Sequence, residues 1–192
     1  MVLCNKIIII TILNSHRFLF AVDIFTLDSV SCDYMKKFSV SVLLIGDKYV
    51  SGVKDESTGK NIVCALPSDV FDCSSYDVIP DDAEAIRNAI MLYADTLQRD
   101  VIVTAGGTGL TVTDITPEVT RSLIDKEVPG LAEAMRFEGY KLTHKALLSR
   151  GICGIRRKTL IINLPGSSKG ALQSLEVILG ILPHALGTIQ RI

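Results

Sequence analysis

One stretch constrains the fold of this chain more than any other: VIVTAGGTGLTVTDITPE, residues 101–118. Its first three residues are apolar and lead into a glycine-rich turn at 106–109, and Asp114 follows five residues after the turn. The tripeptide TPE at 116–118 has the composition of a helix start, because proline is favoured in the first helical turn. A buried strand, a glycine turn and a helix in this order predict one unit of a parallel α/β sheet.

The rest of the chain repeats this alternation. Apolar residues recur with helical spacing over 81–98, where Asp81 and Glu84 also have the spacing of a capping box. The other predicted elements are strands at 38–46 and 71–79, a loop at 47–60, a short helix at 61–66, helices at about 117–126 and 129–145, two short strands around 156–158, and a last helix from near Ser168 that Pro183 bends or ends. The sequence therefore predicts an α/β domain over residues 35–192.

Residues 1–34 differ from the rest. Their apolar runs, 7–13 and 18–25, are shorter than the roughly 20 residues that a membrane helix needs. We interpret the segment as an N-terminal extension produced by a start upstream of Met35; a poorly ordered tail, an added strand and a secretory signal are the alternatives. We expect no membrane association.

Composition excludes some classes of function. The formal net charge is −1, so no basic surface dominates, and we expect no nucleic-acid partner. The five cysteines are odd in number and form no C-x-x-C pair, which favours a reduced, cytoplasmic protein over a disulfide scaffold or a zinc site.

The loops that follow the predicted strands carry the unusual residues. In an open parallel sheet, ligands bind beyond the carboxyl ends of the strands, so we expect four loops to form one crevice. These loops are 46–59, 80–82, 105–116 and 165–168.

The glycine turn lacks the lysine of a phosphate-binding P-loop. Its residues, Gly106, Gly107, Thr108 and Gly109, still allow backbone N–H groups to approach an anion. Charge neutralisation must then come from elsewhere, most simply from Mg²⁺ held by Asp81 and Asp114. The alternatives are a turn without a ligand, an Asp81 that only caps a helix, and a solvated Asp114.

The segment PGSS at 165–168 is a second glycine turn at a helix start, where an anion or a plain serine cap would be favoured. No sequence pattern indicates a serine or cysteine nucleophile. Two carboxylates and two glycine turns around a crevice suit the positioning of polyphosphate and Mg²⁺ for phosphoryl or nucleotidyl transfer.

Four collinear segments resemble the MogA/MoaB family of molybdenum-cofactor biosynthesis proteins: VIPDD (78–82), TAGGTGLTVTDITPE (104–118), VPGLAEAMR (128–136) and LLSRGICGIRRKTLIINLPGSSKG (147–170). The loop at 46–60 resembles the family more loosely, and the likeness covers about residues 38–190. The resemblance implies a three-layer α/β/α fold, a homotrimer that binds molybdopterin, and Mg-ATP-dependent adenylylation of that pterin with release of pyrophosphate. It also suggests a molybdate-insertion protein as a further partner.

The resemblance assigns roles residue by residue. It implies that Asp81 and Asp114 are catalytic and hold the metal ion, and that the turn Gly106, Gly107, Thr108 and Gly109 binds the nucleotide phosphates. It places molybdopterin against Asp47, Ser51, Gly52, Pro165, Gly166 and Ser167.

Three departures from the family pattern stand out. Thr113 precedes the second aspartate where many relatives carry arginine, the first loop begins Gly46, Asp47, Lys48, and the chain ends at Ile192 as in shorter members. A non-catalytic pterin-binding or assembly module is therefore the alternative function, and an unrelated nucleotide-dependent enzyme on a similar sheet is a third hypothesis.

Overall fold

The structure is a computed structural model that describes residues 37–191, so the interpretation of residues 1–34 lies outside the described part. Six strands and seven α-helices are described. The strands are β1 (Phe38–Ile45), β2 (Phe71–Ile79), β3 (Val101–Ala105), β4 (Lys126–Glu127), β5 (Cys153–Arg156) and β6 (Thr159–Leu164). The helices are α1 (Asp47–Val50), α2 (Ser57–Ala65), α3 (Ala83–Met91), α4 (Thr116–Leu123), α5 (Pro129–Leu142), α6 (Ser168–Leu179) and α7 (Leu182–Gln190).

The six strands form one sheet in the order β2-β1-β3-β6-β5-β4. The first four of these strands run parallel, whereas β5 is antiparallel to β6 and β4 is antiparallel to β5. The carboxyl ends of β1, β2, β3 and β6 therefore lie side by side at one edge, as the sequence predicted.

Side-chain alternation along the central strands fills two separate cores. From β1, Val40, Val42 and Leu44 pack with residues of α2, α5, α6 and α7, while Leu43 and Ile45 pack on the other face with α3 and α4. Because both faces of the sheet are covered, the central strands are largely apolar rather than alternating with polar residues. The predicted three-layer α/β/α architecture is confirmed.

A buried polar contact fixes α4 against the sheet. The Asn163 side-chain amide, which is 1% exposed, donates to Thr104 Oγ1 at 2.9 Å and to Thr120 Oγ1 at 3.1 Å. These bonds join β6, β3 and α4, and they satisfy polar groups that would otherwise be costly to bury. The helix that follows the Asp114 loop is thereby fixed to the strand that precedes that loop.

Several boundaries differ from the predictions. Helix α2 begins at Ser57, inside the predicted loop, because Thr58 and Gly59 are buried and Gly59 packs against Tyr76. The short helix α1 occupies another part of that loop. The helix over 81–98 begins at Ala83 and changes to a π-helical turn at Leu92–Thr96. In the described part of the chain no single helix is long and apolar enough to cross a membrane, and only the bent pair α6 and α7 meets that criterion when taken together.

Candidate functional site

The four predicted loops meet at the carboxyl edge of the parallel strands. The loop after β1 contacts the loop after β2 through Asp47 and Asp81, and it contacts the loop after β6 through Tyr49, whose hydroxyl donates to the Gly166 carbonyl at 2.8 Å. The glycine turn after β3 lies between them, since a Cβ on Gly166 would be 3.1 Å from Gly106 Cα. The loops that follow these neighbouring strands therefore form one crevice.

The glycine turn needs its glycines for two reasons. Gly106 (φ +119°) and Gly107 (φ +61°) have backbone conformations that other residues rarely adopt. A Cβ would also lie 2.1 Å from the Ile45 carbonyl oxygen at Gly106, and 2.1 Å from Thr116 Oγ1 at Gly107. Thr108 is only 5% exposed, and a Cβ on Gly109 would lie 2.9 Å from Asp114 Oδ2. The turn is packed tightly against β1, α4 and Asp114.

Asp81 is not the helix cap. The N-cap of α3 is the next residue, Asp82, whose side chain accepts from the Ala85 backbone N–H at 2.8 Å. Asp81 accepts instead from the Asp47 N–H at 3.2 Å through Oδ2, and its Oδ1 lies beside Gly107. The capping interpretation of Asp81 is therefore wrong, which leaves a carboxylate on the crevice side of the loop.

The environment of Asp81 disfavours its negative charge. Burial raises the pKa of this carboxyl, the hydrogen bond from the Asp47 backbone opposes the rise, and the negative charges of Asp47 and Asp114 add to it. Three carboxylates from three loops therefore interact at one place.

Asp114 is oriented by its own loop. Its Oδ2 accepts from the Thr111 backbone N–H at 2.9 Å and from the Thr111 hydroxyl at 2.5 Å. Partial burial acts to raise the pKa of Asp114, but hydrogen bonds from Thr111 and Gly109, together with the charge of Arg150, outweigh it and hold this pKa below its usual value.

The residues present fit part of a Mg²⁺ site. Among residues 37–191 no group of three or more His, Cys, Asp and Glu side chains is arranged to hold a metal ion alone. Mg²⁺, however, is commonly bound by one or two carboxylates with substrate phosphates and water. Asp81 Oδ1 lies beside Gly107 and Asp114 Oδ2 lies beside Gly109, so both carboxylates are next to the glycine turn, and a bound cation would offset their negative charges.

The predicted pterin-side residues lie on both sides of the crevice. The Ser51 hydroxyl donates to the Asp47 carbonyl at 2.8 Å, and Gly52 is exposed with φ +71°. Ser167 is the N-cap of α6 and accepts from the Gly170 N–H at 3.3 Å, so its hydroxyl has the capping role that the sequence left open. Its neighbours Pro165 and Gly166 are partly exposed.

A cavity of about 390 Å³ opens between the glycine turn, α5 and α6. Its volume is within the usual range of small-molecule sites. Asp114 lines it together with Gly107, Thr108, Gly109, Pro165, Gly166 and Ser167, and Arg136, Lys145 and Gln173 contribute polar side chains. The turns at 107–109 and 165–167, one from the predicted nucleotide side and one from the predicted pterin side, thus share one cavity wall with Asp114. Five other predicted site residues do not line this cavity: Asp47, Ser51, Gly52, Asp81 and Gly106.

Sequence reasoning missed the side chains that hold the loops together. Arg150 donates through Nε to the Gly109 carbonyl at 2.6 Å, and also to the Asp114 carbonyl and to Glu118. Lys54 donates to the Gly166 carbonyl at 3.1 Å and lies 4.6 Å from the centroid of the Tyr49 ring. A single basic residue in a loop carries no spacing signal, so only the fold reveals these contacts.

Comparison with known proteins identifies the family of this chain. The profile of the family described as "Probable molybdopterin binding domain" matches residues 41–184. The molybdopterin adenylyltransferase of Helicobacter pylori strain J99 is 35% identical over 157 residues, covering 81% of this chain and 89% of the relative.

Solved structures are similar over the same part of the chain. The molybdopterin biosynthesis enzyme MoaB from Thermus thermophilus has 46% identity and a TM-score of 0.77, covering 81% of this chain and 98% of that one. The tungsten cofactor synthesizing protein MoaB from Pyrococcus furiosus has 32% identity and a TM-score of 0.72, again covering 81% and 98%.

Proposed function

The chain belongs to the family of probable molybdopterin-binding domains, and from that premise we propose that it adenylylates molybdopterin with Mg-ATP, giving adenylyl-molybdopterin and pyrophosphate. The observation that carries the proposal is the placement of Asp81 and Asp114 against one glycine turn. Relatives named molybdopterin adenylyltransferase match most of this chain, so the activity and the site point to the same chemistry.

The proposed reaction needs no nucleophile from the protein. An oxygen of the terminal phosphate of molybdopterin attacks the α-phosphorus of ATP, and the bond from that phosphorus to the oxygen shared with the β-phosphate breaks, releasing pyrophosphate. The chain has to align two anions that repel each other. Alignment of reacting groups and fixed dipoles supplies most of the catalysis in reactions of this type.

Each part of the crevice has a role in that alignment. Within the turn at 106–109, the N–H groups of Gly107 and Thr108 bind the nucleotide phosphates, because the Gly106 N–H donates to the Leu164 carbonyl at 3.2 Å and the Gly109 N–H donates to Asp114. The two loops at 47–52 and 165–167 hold the pterin substrate. Asp81 and Asp114 would hold Mg²⁺, and the bound ion would neutralise phosphate charge and polarise the α-phosphate. The hydrogen bonds from Thr111 keep Asp114 ionised and oriented for this purpose.

The second candidate is a pterin-binding or assembly module without catalysis. Thr113 favours this module, because it stands before Asp114 where many relatives carry arginine. Its hydroxyl lies 3.1 Å from that of Thr111, and it brings no positive charge to the site. Both candidates use the same crevice, and they differ only in turnover.

A direct assay separates the two. Purified full-length protein is incubated with ATP, Mg²⁺ and molybdopterin, and adenylylated pterin and pyrophosphate are measured together. Equal amounts of both products support the adenylyltransferase. Molybdopterin binding without either product would support the non-catalytic module. Absence of both binding and products would reject both candidates.

The remaining partners are proposals of the same kind. We propose a cytoplasmic homotrimer that passes its product to a molybdate-insertion protein. Free thiols at Cys64, Cys73 and Cys153 support a reducing compartment. Support for self-association comes from large apolar side chains that are exposed on α5 and the 3₁₀ helix after it, namely Phe137, Tyr140, Leu142, Leu147 and Leu148. Sedimentation as a single species near the 20.9 kDa chain mass at micromolar concentration would contradict the trimer.

A further inference from the structure

The Arg150 guanidinium joins both ends of the loop that carries Asp114. Its Nε donates to the Gly109 carbonyl at 2.6 Å, and its Nη2 donates to the Asp114 carbonyl. The backbone N–H of Arg150 adds a bond of 3.0 Å to the Thr108 carbonyl. One residue, 36 positions from Asp114 in the chain, therefore closes the segment between the glycine turn and the aspartate.

A second contact fixes the orientation of the guanidinium itself. Nη1 donates to Glu118 in the first turn of α4, a helix that Thr120 and Asn163 attach to the sheet. The Arg150 side chain is 33% exposed, so these bonds are partly shielded from water. The anchor of the loop is therefore the sheet rather than another flexible segment.

The direction of the Asp114 carboxylate depends on this closure. Within the loop, Thr111 donates twice to Asp114 Oδ2, and the Asp114 N–H donates to the Thr111 carbonyl at 3.1 Å. These bonds join Asp114 to its own exposed loop, where Leu110 is 65% and Val112 is 96% exposed. Arg150 connects that local unit to the glycine turn and to α4.

We infer that Arg150 is a positioning residue that holds the Asp114 carboxylate and the Gly109 peptide in the relative geometry needed for adenylyl transfer. The inference rests on the proposed function for its catalytic consequence, and on the hydrogen bonds alone for its structural part. Arginine is required because its planar fork reaches two carbonyls and a carboxylate at once, whereas a lysine ammonium on a flexible stem cannot keep all three directions.

The test compares Arg150→Lys with Arg121→Lys in the full chain. Arg121 lies on α4 and pairs with Glu127 at 3.3 Å, but its side chain is 59% exposed and makes no hydrogen bond to the loop. We expect Arg150→Lys to lower kcat by about tenfold or more, since small misplacements of a reacting group have effects of this size. Molybdopterin affinity should stay within about twofold of wild type, because the pterin-side loops keep their contacts. Arg121→Lys should match wild type.

Amide hydrogen exchange without substrates gives a second readout. In Arg150→Lys, exchange over 108–118 should accelerate while β3 and β6 keep their protection. Wild-type kinetics with wild-type exchange in Arg150→Lys would overturn the inference. A parallel fall of kcat, pterin affinity and melting temperature would also overturn it, because that pattern indicates general destabilisation. If the wild-type protein performs no adenylyl transfer, the proposed function fails, and the exchange comparison alone decides whether Arg150 positions the loop.

Discussion

Asp47 and Asp81 hydrogen-bond to each other reciprocally: the Asp47 N–H donates to Asp81 Oδ2 and the Asp81 N–H donates to Asp47 Oδ1, each at 3.2 Å. The pair joins the loop after β1 to the loop after β2. Each carboxylate is oriented by the other residue's amide, so two negative charges face the same crevice in fixed positions. The second carboxylate oxygen of Asp81 lies beside Gly107.

Separate substitutions of Asp81 and its neighbour Asp82 distinguish charge in the site from helix capping. Asp81→Asn should reduce adenylyl transfer by about 10²-fold with little change in stability, because it removes a charge but keeps a hydrogen-bond acceptor for Asp47. Asp82→Ala should cost about 1 kcal/mol of unfolding free energy and leave kcat near wild type, because it removes only the bond to Ala85. Denaturant unfolding and a pyrophosphate assay on both variants provide the measurement. Normal turnover in Asp81→Asn would show that the Asp81 charge is not needed for catalysis and that this residue only joins the two loops.

Alanine at Gly107 and at Gly52 distinguishes backbone strain from close packing. Both glycines have positive φ, at +61° and +71°, but a Cβ on Gly107 would lie 2.1 Å from Thr116 Oγ1 whereas a Cβ on Gly52 meets nothing within 4 Å. Gly52→Ala should therefore lower stability by about 1 kcal/mol from backbone conformation alone. Gly107→Ala should lower it by at least about 2 kcal/mol, since overpacking adds to the strain. Equal midpoints in denaturant unfolding would contradict the packing argument.

The parts of the site that the sequence predicted are those determined by local pattern and by sheet topology. Continuous apolar runs marked β1 and β3, and parallel pairing then required the loops that follow the strands to meet. This is why Asp81, Asp114 and the turn at 106–109 could be grouped from the sequence. Their metal and substrate roles remain predictions.

The parts that it missed depend on contacts between distant residues. Adjacent aspartates at 81 and 82 both suit a helix start, and only the fold shows that the Asp82 carboxylate reaches Ala85. Helix α2 begins with STGK, which is weak in helix propensity, so burial of Thr58 decides its start rather than local preference. Arg150 contacts Gly109 across 41 positions, and no periodicity encodes such a contact.

The ion pair between Asp95 and Arg156 should make stability depend on pH. Arg156 donates to Asp95 through Nε at 2.9 Å and Nη2 at 2.6 Å, and the side chains of Asp95 and Arg156 are 15% and 18% exposed. These hydrogen bonds lower the pKa of Asp95 from its ordinary value, against the opposing effect of burial. A lowered folded-state pKa contributes stability above the unfolded pKa of about 4, and this contribution is lost as pH falls through the folded value.

Asp95→Asn should accordingly be destabilised by about 1.5–3 kcal/mol at pH 7, the usual size for hydrogen bonds to a charged group. The difference from wild type should shrink as pH falls below about 4, where Asp95 of the unfolded wild-type chain becomes protonated, and its charge-dependent part should be lost below the lowered folded-state pKa. Urea unfolding of both proteins, from neutral pH down to about pH 3, measures this difference across the range in which carboxylates titrate. A difference that is constant with pH would show that the carboxylate charge contributes nothing.

Asp114→Asn is the most direct test of the proposed chemistry. The substitution keeps the shape of the side chain and an acceptor for Thr111, but it removes the charge proposed to hold Mg²⁺. Adenylyl transfer should fall by about 10²-fold or more, as for other preorganised electrostatic groups. Molybdopterin binding should persist because the loops at 47–52 and 165–167 are unchanged, and the melting temperature should barely move because the carboxylate lies outside the core.

Asp69→Asn, the same chemical change at an exposed turn, serves as the matched control. If Asp114→Asn retains wild-type turnover while Asp69→Asn behaves identically, the Asp114 charge is not needed for catalysis and the proposed metal site at Asp114 fails.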